Sequence, residues 1–396
     1  MKIETIRLRN FRAFRDVELT NLPDFCVLVG ANGTGKSTLF DVFGFLKDCL
    51  TYNATTAFGT RGGFGEVVSR DSQGDNIEIE LQFRMPIGGV ERLVTYHLEL
   101  SGRDNRVLVE REFLRYKRGR YGSPYHFLDF ERGEGNAVVN EEDFNKSEEQ
   151  LDREEQKLDR PDVLAIKGLG QFQRFKAASS FRHLIENWHV SDFHISMARG
   201  SKEVAGYSEH LSANGENLQL VADYLFKHHR DVFNSILSHM VERVPGVSDI
   251  IPEPTPDGRL LLKFRDGAFE EPFIDKFVSD GTIKMFAYLT LLYDPNPHPL
   301  LCVEEPENQL YPTLLWGLAE EFRRYARRGG QVFVSTHSPD FLNATRVDEV
   351  IWLVKRDGYA KFLRASDDEQ IVSSVQSGDQ MGYLWKQGYF NEVDPN

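Results

Sequence analysis

The chain has 396 residues, with 47 Lys or Arg against 61 Asp or Glu and a formal charge of −14 at neutral pH. Its 40% hydrophobic content supplies a core and excludes a wholly disordered chain. The acidic balance excludes a surface that binds nucleic acid all over, leaving room only for a local basic groove. At roughly 150 residues per compact unit, the length allows two to three units.

The N-terminus is charged at Lys2, Glu4, Arg7, Arg9 and Arg12 and lacks the apolar segment of a secretory signal. The longest nearly apolar run, Met285 to Tyr293, is far shorter than the ~18 residues of a membrane span. Three cysteines (Cys26, Cys49, Cys302) have spacings that suit neither a disulfide framework nor a metal, and they read as small core residues. The expectation is a cytoplasmic chain.

Short strands are predicted at 3–8, 15–19 and 25–30, the last a wholly apolar run. Leu39, Val42, Phe43, Leu46 and Leu50 then have helical spacing over 36–50. Alternation predicts strands at 77–85, 91–100 and 106–117, joined by turns at Gly88-Gly89 and Gly102–Asn105, as an antiparallel meander. Residues 141–160 are strongly charged, and Phe144, Leu151 and Leu158 recur every seven positions, which predicts a solvated helix with one apolar stripe. The pattern over 161–243 is mainly helical, with one strand near His189–Phe193. A strand pair follows at 246–265. Beyond it the chain alternates: helix 281–293, strand 299–304, helix 312–328, strand 331–335, and strands near 349–355 and 359–363.

Three segments carry chemistry. Gly30-Ala31-Asn32-Gly33-Thr34-Gly35-Lys36-Ser37-Thr38 fits G-x-x-x-x-G-K-[ST] between an apolar strand and a helical pattern, the setting of a P-loop. Gly30, Gly33 and Gly35 let backbone N–H groups turn inward around phosphate oxygens, at the positive end of the following helix. Lys36 is suited to the β- and γ-phosphates, and Ser37 to Mg²⁺. The apolar strand ending in Glu304-Glu305-Pro306-Glu307 offers one carboxylate for a metal shell and one to polarise a water. The strand ending in Ser335-Thr336-His337-Ser338-Pro339 offers an imidazole donor for a phosphate oxygen.

This order resembles the ABC-type ATPase head, and Val278-Ser279-Asp280-Gly281-Thr282-Ile283-Lys284 is similar to that family's signature. The opening Ile6, Leu8, Asn10, Phe11, Arg12 and Phe14, the run Glu304–Pro312 and the run Ser335–Pro339 resemble the RecF/SMC/OLD group (AAA_21-like) and stand-alone ATPases of bacterial antiphage defence. The resemblance implies an α/β fold: a P-loop, mostly parallel core sheet with an N-terminal antiparallel β subdomain and a helical insertion lobe. The expected parts of the single head are 1–135, 136–245 and 246–396.

It also implies roles. Glu304 and Ser37 hold the metal; Glu305 is the catalytic base and His337 the switch histidine. Gly30, Asn32, Gly33, Gly35, Lys36, Ser37 and Thr38 bind ATP, and Arg12 reaches the nucleotide edge. Ser279 and Gly281 close over the γ-phosphate held by a second head. Glu304 stands where Asp is usual, and Tyr311 where the D-loop usually has Asp or His. Gln82, Gln171 and Gln173 are all candidates for the Q-loop glutamine.

Only 240 residues separate the P-loop from the signature, without the sustained heptads of SMC arms, and 59 follow His337, too few for a TOPRIM nuclease domain. The expectation is therefore an ATPase using ATP and Mg²⁺. It would act as a homodimer or higher homo-oligomer and control a separate effector such as a nuclease, with no membrane partner. A RecF-like factor that binds DNA directly is the alternative. A transporter subunit is disfavoured by Glu304–Pro312, which lacks the transporter D-E-P-T form. The basic residues Arg111, Arg115, Lys117, Arg118 and Arg120, interleaved with Phe113, Tyr116 and Tyr121, read either as a nucleic-acid groove or as an ordinary exposed strand and turn.

Overall fold

Phe25–Val29 is apolar at five successive positions, and all five are buried in a strand. Such a run suits a strand covered on both faces. In the computed structural model, residues 2–391 are described, apart from 73, 88, 104–105, 118–123, 141–145, 192, 194, 200–207 and 257. They divide into two compact units, one formed by Met1–Trp188, Val347–Ser373 and Gly388–Asn396, the other by His189–Arg346 and Ser374–Gln387.

In the first unit, Phe25–Val29 pairs in parallel with Val350–Arg356, which pairs antiparallel with Tyr359–Arg364. An eight-stranded antiparallel sheet accompanies them. Its order is Phe14–Leu19, Lys2–Phe11, Ile77–Ile87, Val90–Arg103, Arg106–Tyr116, Tyr125–Glu131, Glu134–Val138 and Arg153–Lys157. Its alternation follows the sequence: Ile77, Ile79, Leu81, Phe83, Met85 and Ile87 are buried, with polar or exposed positions between them. A buried acid, Glu112, accepts hydrogen bonds from Tyr96 Oη (3.1 Å) and from the N–H groups of Ile166 (3.1 Å) and Ala165. Burial nevertheless pushes its pKa up to about 7.

The expected helix over 141–160 is not what forms. Residues 141–145 lie outside the described residues, and Arg153–Lys157 is an edge strand antiparallel to Glu134–Val138. Its alternate exposure needs no apolar stripe, because one edge is paired and the polar side chains are partnered, as Arg153 is with Asn136 and Tyr125. Leu151, one of the heptad-spaced residues, is buried just before it.

In the second unit, His189–Ser191, Leu300–Glu304 and Gln331–Thr336 run parallel, with His189 opposite Leu301 and Leu300 opposite Gln331. Helix Pro312–Arg327 makes the crossover between the last two strands. Helix Asp280–Leu292 is buried at every position from Thr282 to Leu292, as its nearly all-apolar composition requires. Val247–Pro254 and Leu260–Asp266 form the expected strand pair, extended by Phe273–Ile274. Cys26, Cys49 and Cys302 are buried free thiols. Among the described residues no helix is long and apolar enough to cross a membrane.

Candidate nucleotide site

The P-loop residues belong to the first unit. Gly33 and Gly35 have φ of +77° and +107°, conformations that disfavour any residue with a Cβ. A Cβ at Gly30 would stand 2.9 Å from the carbonyl oxygen of Leu353, so the loop passes too close to that strand for a larger residue. Helix Lys36–Thr51 starts directly after Gly35, leaving its first N–H groups without intrahelical acceptors. Lys36 is buried, and its Nζ donates to the carbonyls of Gly30 (2.7 Å) and Ala31 (3.0 Å). Asn32, Gly33 and Ser37 are exposed, and Thr38 is half-buried. A buried ammonium, the N–H groups of a helix start and an exposed hydroxyl form a donor set for phosphate oxygens. The Ser37 oxygen also fits a hard cation such as Mg²⁺.

Arg12 has a positive φ of 47° and pairs with Asp41 of the P-loop helix at 2.7 Å. Asp41 also holds Arg61 at 2.7 Å, and Arg61 holds Asp48 at 2.8 Å. The Arg12 main chain is fixed as well, by Val67 and Ser69.

Glu304, Glu305, His337, Ser279 and Gly281 belong to the second unit. Glu304 ends its strand exposed, in register with Ser335. Glu305 then turns into positive φ (42°), uncommon for a residue with a side chain. Its main-chain N–H is held by the Ser335 carbonyl at 2.9 Å. This geometry brings Glu305 Oε1 to 3.1 Å from His337 Nε2, while Oε2 accepts from Asn308 Nδ2 at 2.8 Å.

Glu307, the last acid of the Glu304–Glu307 run, organises the neighbouring strand end. Its Oε1 accepts from Thr336 Oγ1 (2.7 Å), His337 N (2.9 Å) and Ser338 N (3.2 Å). One carboxylate oxygen thus fixes the backbone that carries His337.

Ser279 caps helix Asp280–Leu292, accepting from Thr282 N at 3.2 Å. Gly281 is needed for close approach: a Cβ there would lie 2.8 Å from the Gln309 carbonyl oxygen. Lys284, one turn on, donates to the Asn308 carbonyl at 2.7 Å, and burial lowers its pKa to about 8. Arg199 braces the turn from outside, bonding the carbonyls of Asp275 (3.0 Å), Lys276 (2.9 Å) and Val278 and the Asp280 carboxylate (2.7 Å). The signature turn and the acidic loop therefore form one connected piece. Beside it lies a cavity of about 820 Å³ lined by Phe193, Arg199, Asp280, Lys284, Glu304 and Glu305.

The basic segment offers no free stripe among its described residues. Arg111 is 3.3 Å from the Asp129 carboxylate, and Arg115 and Arg111 both lie over the Phe113 ring. Phe113 is itself sandwiched with His97 and His126, at 4.7 and 4.8 Å. Arg118, Arg120 and Tyr121 lie outside the described residues.

Residues 25–343 match the family described as "AAA domain, putative AbiEii toxin, Type IV TA system". The DNA replication and repair protein RecF of Paenarthrobacter aurescens (strain TC1) is 33% identical over 87 residues, covering 20% of this chain and 22% of that protein. RecF of Lacticaseibacillus casei (strain BL23) is 27% identical over 141 residues, covering 34% of this chain and 38% of that protein. The chain thus matches only about a fifth to two fifths of these relatives' length. The structure of an SmcHead bound to the C-winged helix domain of ScpA superposes with a TM-score of 0.55 at 16% identity, over 92% of this chain and 97% of that one. An Smc head domain derived from Pyrococcus furiosus, with an extended coiled coil and bound to the C-terminal domain of ScpA, gives 0.51 at 14% identity, over 94% and 99%. The chain therefore belongs to this AAA family, and it has the fold of the SMC head domains.

Proposed function

We propose that this head binds ATP with Mg²⁺, closes as a homodimer around it, and hydrolyses it to control a separately encoded effector, a nuclease, in DNA transactions or antiphage defence. One observation carries the hydrolytic part: Glu305 Oε1 stands 3.1 Å from His337 Nε2, on a backbone held in positive φ. Such a pair supplies a base and a phosphate donor from adjoining strand ends. The effector part is supported by the family's description, which names a toxin of a toxin–antitoxin system, and by the ScpA domain bound to an SMC head of this fold.

In this reading Lys36 leaves the Gly30 and Ala31 carbonyls for the β- and γ-phosphates. Gly30, Asn32, Gly33, Gly35 and Thr38 shape the phosphate cradle, and Arg12, braced by Asp41, meets the nucleotide edge. Ser37 and Glu304 hold Mg²⁺, which when bound neutralises phosphate charge. Water attacks the γ-phosphorus, Glu305 takes its proton, and the bond to ADP breaks, while His337 donates to a γ-phosphate oxygen. Ser279 and Gly281 present a helix N-terminus to the γ-phosphate held by the other head. ATP thereby favours the closed dimer over ADP, because only ATP offers the bridging phosphate.

The test is nucleotide binding and turnover by the purified chain and by Lys36→Ala. Turnover by the wild type, with binding abolished in the variant, is expected; equal ATP binding by both would refute the assignment of the P-loop.

A RecF-like factor acting directly on DNA is the second reading, favoured by the RecF matches. It requires affinity for DNA that falls steeply with salt. The partnering of Arg111 and Arg115 supports the first reading.

A further inference from the structure

Three residues distant in sequence converge in the second unit, away from the residues assigned to ATP. The ligating atoms of His210, Asp294 and His298 all lie within 4.8 Å of one another. Asp294 follows the signature helix Asp280–Leu292 by two residues, and His298 precedes the strand Leu300–Glu304 by two.

Each group is held by its surroundings. Asp294 Oδ1 accepts from Asn296 N at 2.8 Å, leaving Oδ2 at 2.6 Å from His210 Nδ1. The His210 carbonyl accepts from Asn217 Nδ2 (2.9 Å) and Ser208 Oγ (3.1 Å). Tyr325 Oη donates to the His298 carbonyl at 3.1 Å. A third imidazole, the buried His189, lies 4.8 Å from His298 between ring centroids. The Asp294 side chain is only 4% exposed, and a carboxylate so far from water needs strong compensation.

We propose that His210, Asp294 and His298 form a binding site for a divalent transition-metal ion of the zinc class. Two imidazole nitrogens and one carboxylate oxygen match the ligands Zn²⁺ takes, with a fourth position for water. This set is too rich in nitrogen for Mg²⁺, so the site is chemically distinct from the all-oxygen metal position of the nucleotide site. Tetrahedral bonds of about 2.0–2.1 Å place ligand atoms roughly 3.3 Å apart. The present 4.8 Å span therefore closes by a modest side-chain rotation, for which the half-exposed His210 is best placed. A bound ion would tie the end of the signature helix to the start of the acidic strand and to the segment that precedes helix Leu218–His228.

The test uses the full chain, freed of metal by a chelator and titrated with Zn²⁺ alone, without nucleotide. One Zn²⁺ per chain is expected, with a dissociation constant in the micromolar range or tighter. Co²⁺ should give the visible absorption bands of a tetrahedral site. His210→Ala and Asp294→Asn should each weaken binding at least about a hundredfold, since removing a ligand costs more than the 10–100-fold of an outer partner. His228→Ala, at an exposed histidine elsewhere, should bind as the wild type does. Absence of binding at about 100 μM Zn²⁺, absence of tetrahedral Co²⁺ bands in the wild type, or undiminished affinity in either variant would overturn the proposal. The Co²⁺ spectrum of the wild type decides even where a variant fails to fold.

Discussion

Replacing Glu307 isolates the contribution of one carboxylate oxygen to the strand end that carries His337. Oε1 accepts from two backbone N–H groups and one hydroxyl, at 2.7–3.2 Å. Hydrogen bonds to a charged acceptor contribute about 1.5–3 kcal/mol each. Three bonds to one oxygen are not additive, and the site is only partly buried, so about 2–4 kcal/mol in total is the expected cost of Glu307→Ala. Glu307→Gln keeps a neutral acceptor and should cost about 1 kcal/mol. At roughly 2–4 °C per kcal/mol for a unit of this size, Glu307→Ala lowers its unfolding midpoint by about 5–15 °C. Because the same bonds orient His337, the alanine variant should also lose turnover by at least about tenfold while keeping ATP affinity, and the glutamine variant should lose less. Calorimetry and a phosphate-release assay measure the two effects. An alanine variant with wild-type melting and turnover would refute the inference that Glu307 holds the histidine.

The buried Glu112 makes stability depend on pH. Its folded pKa of about 7 lies above the ordinary carboxylate value of about 4.5, so the folded state binds more protons between them. The contribution of Glu112 is full below pH ~4.5 and falls by about 3 kcal/mol as pH rises through ~7, at 1.36 kcal/mol per unit. Denaturant titrations across that range should show the slope, and Glu112→Gln should flatten it. Gly281→Ala places a Cβ 2.8 Å from the Gln309 carbonyl and should cost about 1–3 kcal/mol by overpacking. It should reduce turnover more than ATP binding, and unchanged turnover would show that the signature turn has room to spare. Mixing Lys36→Ala with Ser279→Arg heads should restore ATPase activity that neither has alone, since a mixed dimer has one intact composite interface. Wild-type turnover by Ser279→Arg alone would rule out a site shared between heads.

The segments that position the chemistry were legible because they are buried runs with sharp ends. Phe25–Val29, Leu300–Glu304 and Gln331–Thr336 are apolar stretches, each followed by glycine or polar residues. The hairpin Tyr125–Val138 was not read, because its turn is Arg132-Gly133, with φ of 50° and 83°, rather than an Asn-Gly or Asp-Gly pair. The strand Arg153–Lys157 was mistaken for helix because its polar composition suits any exposed element, and only pairing with Glu134–Val138 decides. Glu307 stood in a recognisable motif, yet its partners lie 29 to 31 residues away and no local pattern connects them. His210 and Asp294 are 84 residues apart, so their meeting is a property of the fold alone.

The central claim, that the chain hydrolyses ATP with Glu305 as base, is tested most directly by single-turnover hydrolysis and ATP retention in the wild type and Glu305→Gln. The glutamine keeps the size and the hydrogen bond from Asn308 but cannot take the proton from water. The account predicts that the variant binds ATP as tightly as the wild type and hydrolyses it at least about a hundredfold more slowly, the scale of a positioned base. Wild-type hydrolysis by Glu305→Gln would contradict it.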